Sequence, residues 1–146
     1  MKRILVATDG SEHALTAAQL AAELAAGMGA ELHVLAVAYR DRSEEEELRE
    51  FAKIEHLGGM LNVIGEIAKS HAEQARRQAE TQGVKTVKVS VAEGDPTEQI
   101  LAFIQKNTID AVVVGRRGRS RIAGLLLGSV SQKLATLAPC IVVICP

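Results

Sequence analysis

The stretch from Ala111 to Leu134, AVVVGRRGRSRIAGLLLGSVSQKL, leaves a chain few ways to fold. A continuous apolar run, Ala111 to Val114, stops at Gly115. Gly118 follows, and after residues 119–127 comes the pair Gly128-Ser129, where a helix-compatible segment begins. A short apolar run bounded by glycine reads as a buried strand. Strand, glycine loop and helix in that order form a recipe for holding a phosphate chain. Glycines let the backbone come within hydrogen-bonding distance of phosphate oxygens, because no Cβ stands in the way. Helix N-terminal amides and the macrodipole favour the negative charge. The loop is not a Walker A loop, since no G-K-[ST] ends it, and it is not the dinucleotide fingerprint G-x-G-x-x-G. The plain alternative is a glycine loop that only turns a corner.

The rest of the chain supplies the frame. Ile4 to Thr8 reads as a strand that turns at Asp9-Gly10-Ser11, with Ser11 as N-cap of a helix through Met28. Leu15, Ala18, Ala22 and Ala25 share its inner face, and Gly27 or Gly29 stops it. Glu31 to Tyr39 is the second strand. Ser43 with Glu46 makes a capping box that opens a helical region reaching Gln82, broken at Gly58-Gly59. Its second part carries Ile64, Ile67, Ala68, His71, Ala75 and Ala79 along one side. Val84 to Ala92 alternates at period two and reads as a half-exposed edge strand. Asp95 as N-cap, Pro96 at the first helical position and Glu98 start the next helix. After the glycine loop, Ser129 with Gln132 repeats the capping-box spacing, the last helix ends before Pro139, and Ile141 to Cys145 is the final strand.

Strands and helices therefore alternate, which implies a parallel sheet with helices on both faces. The expected fold is a single α/β domain over residues 1–146, an open five-stranded sheet. Alternation does not itself order the strands. A doubly wound order 3-2-1-4-5 puts strands 1 and 4 side by side at the switch point, where ligands bind at the strands' carboxyl ends. The loop after strand 1 and the glycine loop after strand 4 then face each other. Asp9, in the first of them, is placed to accept hydrogen bonds from ribose hydroxyls. It equally suits a helix cap or turn former.

Composition narrows the partners. The chain has 146 residues, 47% of them hydrophobic, and a net charge of −1. That balance lacks the basic excess of nucleic-acid or membrane-surface binders. No apolar run reaches the roughly 18 residues of a membrane span, and Ile4 to Ala7 is shorter than the about 7–15 residues of a secretory signal core. Aromatic residues are 2%, so the core is built from Val, Ile, Leu and Ala. Cys140 and Cys145 stand an odd number of residues apart on the last strand, hence on opposite faces. They read as unpaired, buried thiols of a cytoplasmic protein. His13, His33, His56 and His71 lie on separate elements without metal-ligand spacing and read as structural or surface residues.

The ordered set of motifs resembles the universal stress protein family, in its ATP-binding branch, over nearly the whole chain. ATDGS at 7–11, Gly94-Asp95-Pro96 and the spacing of Gly115, Gly118 and Gly128-Ser129 carry the resemblance. It implies that Ala7, Thr8 and Asp9 line the adenosine and that backbone at Val37 reads adenine. Gly115, Arg116, Gly118, Gly128, Ser129, Val130 and Ser131 match the triphosphate contacts. The resemblance also implies ATP with Mg²⁺ as ligands and a homodimer formed by antiparallel pairing of the C-terminal strand. One departure stands out. Relatives often carry Ser-His between the first two glycines, where this chain has Arg116-Arg117, followed by Arg119 and Arg121. The arginines suit a bidentate phosphate clamp, a solvated loop face or a site for an acidic partner.

The expected function is a nucleotide-dependent switch in the stress response, acting on a regulatory partner and not an enzyme. The alternatives are an ATP-consuming enzyme of a related fold, adenylating or hydrolysing, and a dimeric interaction module without nucleotide.

Overall fold

The computed structural model describes residues 1–38, 58–118 and 126–146, with side chains from 63 onward in the second of these. The elements follow the expected alternation: β1 (Arg3–Thr8), α1 (Glu12–Met28), β2 (Glu31–Ala38), α2 (Gly58–Thr81), β3 (Val87–Glu93), α3 (Pro96–Asn107), β4 (Ala111–Gly115), α4 (Ser129–Leu137) and β5 (Ile141–Cys145). The five strands form one parallel sheet in the order β3-β2-β1-β4-β5. Tyr39, the Ser43–Glu46 capping box, the helical stretch before Gly58, His56, Arg119 and Arg121 lie outside the described residues.

The three central strands explain the apolar runs. Ile4, Leu5, Val6, Val34, Leu35, Val112 and Val113 are fully or almost fully buried, because helices cover both faces of the sheet. On one face α1 and α2 meet the sheet through alanines: Ala17, Ala18, Ala21 and Ala22 of α1 pack in one cluster with Ala72, Ala75 and Ala79 of α2. The buried stripe of α1 is Ala14, Ala17, Ala18, Ala21, Ala22 and Ala25, with Leu15 only half-buried at its border. The other face is larger-grained, with Ile100 and Ile104 of α3 and Leu134 of α4 against Leu5, Leu35 and Val112.

Two boundaries moved. Val84 is not in β3; it is buried in the turn after α2, and its amide donates to the Ala79 carbonyl at 3.2 Å. It closes the helix end instead of extending the strand. The N-cap of α4 is Gly128, not Ser129, which is the first helical residue. The cysteines do face opposite ways: Cys145 packs in the alanine-rich cluster and Cys140 against the other. Both are unpaired, Cys140 only partly buried, and burial pushes both thiols up from their ordinary value, which leaves them protonated at neutral pH.

Candidate ligand cleft

The carboxyl ends of β1 and β4 open into a cleft of about 650 Å³. That volume lies within the range of small-molecule sites. Three structural units frame it.

The first is the β1–α1 turn. Gly10 adopts φ +77°, a left-handed conformation that a side chain disfavours. Its amide donates to Thr8 Oγ1 at 3.3 Å, and the Ser11 amide donates to Asp9 Oδ1 at 2.9 Å. Ser11 Oγ then accepts from the Ala14 amide at 3.2 Å and caps α1. Asp9 is thus held by its own turn through one oxygen. The other, Oδ2, is turned across the cleft: a Cβ built on Gly118 would stand 2.7 Å from it.

The second unit is the root of the glycine loop. The Arg116 amide donates to the Cys145 carbonyl at 2.6 Å, extending the pairing of β4 with β5. The Arg116 carbonyl accepts from the Gly128 amide at 2.7 Å and from Ser131 Oγ at 2.9 Å. The chain therefore leaves the sheet and returns to it at one point, and α4 starts there. Gly115 packs directly on α1, since a Cβ at that position would lie 2.7 Å from the His13 carbonyl carbon. Gly128 is looser, with its nearest neighbours at 3.4 Å. Among the described residues no side chain caps α4, whereas Ser11 caps α1 and Asp95 caps α3. The first three residues of α4, Ser129, Val130 and Ser131, line the cleft.

The third unit is a pair of walls. From α3 come Pro96, Thr97 and Ile100, below the turn in which Asp95 Oδ1 accepts from the Glu98 amide at 2.9 Å. From α2 come Ile64, Ile67, Ala68 and His71. Among the described residues, Leu35, Val37 and Ala38 of β2 with Ile64, Ile67, Ala68 and Ile100 supply apolar lining, while Gly115, Gly118, Gly128, Ser129, Ser131 and the cations Arg117 and Lys133 come from the β4 and α4 side.

Of the residues singled out in the sequence, Ala7, Thr8, Asp9, Val37, Gly115, Gly118, Gly128, Ser129, Val130 and Ser131 all line this cleft. Arg116 does not; its backbone is spent on the loop root and its neighbour Arg117 stands at the lining. The sequence reading missed Lys133 and the α2 wall. Lys133 lies one helical turn past Ser129, so the spacing of four was available as a signal. His71 was read with the helix's inner stripe, and it belongs to the cleft instead.

The universal stress protein family, as a sequence model, matches residues 1–146. A universal stress protein from Thermus aquaticus is 34% identical over 143 residues, covering 95% of this chain and 94% of its own. The universal stress protein YxiE of Bacillus subtilis is 31% identical over 144 residues, covering 97% of each. Among solved structures, the universal stress protein UspA from Lactobacillus plantarum superposes with a TM-score of 0.83 at 23% identity, over 99% of this chain and 97% of that one. A universal stress protein in complex with cAMP gives 0.74 at 23%, over 99% and 97%. The universal stress protein from Archaeoglobus fulgidus in complex with dAMP gives 0.68 at 20%, over 100% and 98%.

Proposed function

This chain belongs to the universal stress protein family, and from that premise we propose that it binds ATP in the cleft between β1 and β4 and acts as a nucleotide-dependent switch. The observation that carries the proposal is the start of α4. Among the described residues no side chain caps it, and its first residues, Ser129, Val130 and Ser131, line the same cleft as Asp9, Gly118 and Gly128. An anion at a helix N-terminus satisfies donors that a cap would otherwise take.

The cleft's asymmetry orients the ligand. Adenine lies on the apolar lining, against Val37, Ala38 and Ile64. Asp9 accepts from the ribose. The phosphates run to Gly118, Gly128 and the first turn of α4, with Arg117 and Lys133 supplying positive charge. Proteins of this fold that hold cAMP and dAMP support an adenine nucleotide. Mg²⁺ accompanies the triphosphate, and Ser129 is the protein oxygen nearest in role to a ligand. Among the described residues no three His, Cys, Asp or Glu side chains could hold an ion together, so phosphate and water oxygens make up most of its coordination.

The proposed role is binding without rapid turnover. Asp9 is engaged at the ribose, and Asp95, the other carboxylate among the described lining residues, caps α3 through Oδ1, so the described lining offers no further carboxylate to orient a water at the γ-phosphate. The same reading has the protein work as a cytoplasmic homodimer paired through β5, an edge strand whose Ile141 is 56% exposed. Calorimetric titration with ATP, with and without Mg²⁺, tests the core of the proposal. Saturable one-site binding supports it, and absence of binding to freshly purified, nucleotide-free protein rejects it.

A further inference from the structure

Among the described residues, the α2 wall of the cleft is apolar except for one side chain. Ile64, Ile67 and Ala68 offer hydrocarbon; His71 offers an imidazole. That ring is seated by the β1–α1 turn. A Cβ added at Gly10 would fall on it, nearest to Nε2 and 2.5 Å from both Cδ2 and Cε1. Glycine at position 10 thus does two things: it permits φ +77° and it makes room for the imidazole. The turn is flanked on two sides. At Asp9 it faces the glycine loop, and at Gly10 it faces His71.

We propose that His71 is the sugar-selecting residue of the cleft: its imidazole contacts a ribose hydroxyl beside Asp9, so that the site prefers ribonucleotides over deoxyribonucleotides. The inference rests on the nucleotide reading above and names a further contact within it. The reasoning is one of adjacency and chemistry. Asp9, the neighbour of Gly10, is the residue assigned to the ribose, so the ligand group within reach of the imidazole is the sugar and not the phosphate chain. A carboxylate can only accept from the sugar hydroxyls. An imidazole carries at least one N–H in either protonation state, so it can also donate to a hydroxyl oxygen. The two side chains together satisfy a cis-diol in a way that neither does alone. An apolar residue at position 71 would match the rest of the wall and fill the space over Gly10, but it would leave that hydroxyl unpaired on binding.

The test compares ATP with 2′-deoxy-ATP and 3′-deoxy-ATP on the full chain, with wild type, His71→Phe and His71→Ala. Phenylalanine keeps a ring over Gly10 and removes both nitrogens. Should it fail to fold, alanine removes the nitrogens without adding bulk. Wild type is expected to prefer ATP over at least one deoxy analogue by about three- to tenfold, the worth of one neutral hydrogen bond. In the variants the preference against that analogue shrinks by about that factor, what remains being the share of Asp9, while the affinity for the disfavoured analogue stays near its wild-type value. A wild-type protein that binds ATP and both deoxy analogues equally overturns the proposal, as does an unchanged preference in a folded variant. Either result leaves the nucleotide site standing. A wild-type protein that binds none of the three overturns both.

Discussion

Asp9 Oδ2 occupies the space that a side chain at Gly118 would need, so these two residues meet across the cleft from loops at the ends of β1 and β4. The glycine is required less by its own torsions than by the carboxylate opposite. Replacing Gly118 by Ala or Val is expected to push Asp9 off its position while the sheet, which neither residue supports, stays folded. ATP affinity should fall by about ten- to a hundredfold, the worth of a hydrogen bond to a charged group. Titration calorimetry alongside circular dichroism measures both halves; an unchanged affinity in a folded Gly118→Val protein removes the loop from the site.

Asp9→Ala should weaken ATP and ADP by the same factor, since the sugar is common to both. A loss confined to ATP would move Asp9 from the ribose to the γ-phosphate.

The uncapped start of α4 gives a test with opposite signs. Gly128 has extended torsions, φ −72° and ψ 164°, and a Cβ there meets nothing closer than 3.4 Å. Gly128→Asp should therefore fit and cap the helix, where a carboxylate also complements the macrodipole. Since glycine is itself a tolerated cap, the gain in stability is small, a few tenths of a kcal/mol. The same carboxylate takes the amides meant for phosphate, so ATP affinity should drop by at least about tenfold. Urea melts and titration read the two effects, and a capped variant that still binds ATP normally would exclude these amides from the phosphate site.

Turnover should be slow. Phosphate release from pure protein with saturating Mg²⁺ and ATP is expected at least about a thousandfold below the enzyme median of about 10 per second. Gly118→Val serves as the control for contaminating ATPase. A control-sensitive rate near that median would favour the ATP-consuming enzyme.

Away from the cleft, His33 predicts a pH dependence of stability. It is buried on β2, stacks edge-on to Phe103 with ring centroids 5.8 Å apart, and lies 3.3 Å from Glu31 Oε2. Burial holds the imidazole below its ordinary 6.5, and Glu31 offsets this only in part. The folded protein then takes up this proton less readily than the unfolded chain, so stability falls as pH drops below 6.5 toward the folded value. His33→Gln should flatten that slope between about pH 7.5 and 5.5 in urea melts. Equal slopes in the two proteins would show that His33 titrates normally.

The fold was legible because β1, β2 and β4 are runs too apolar for anything but a two-sided burial, and because the turns at Ser11 and Asp95 carry real caps. Most of the cleft was legible for a related reason: it gathers at strand ends, which glycines and Asp9 mark. The misplacements also have physical causes. Val84 is apolar and precedes a strand, but its burial comes from closing α2. Ser129 has the composition of a cap, yet it is the first helical residue, and Gly128, whose amide donates to the Arg116 carbonyl, takes the cap position. Arg116, matched to the triphosphate contacts by resemblance, is not among the lining residues, and its amide and carbonyl bond at the loop root. His71 shows the limit of periodicity, which groups residues on a helix face without saying what that face meets.

The alanine face of α1 has a consequence for how this protein can vary. Ala14, Ala17, Ala18, Ala21, Ala22 and Ala25 are all buried, so the fully buried stripe of the helix is alanine alone, with Leu20 and Leu24 packed at its border. Each added methyl group there acts as a shim. Overpacking of this kind costs about 1–3 kcal/mol and is relieved by backbone shifts. The end of the helix that carries Ser11 is continuous with the turn holding Asp9 and Gly10. Ala18→Val, remote in sequence from every residue assigned to the ligand, should therefore register twice, as lost stability and as a cleft whose two sides no longer meet at the right separation.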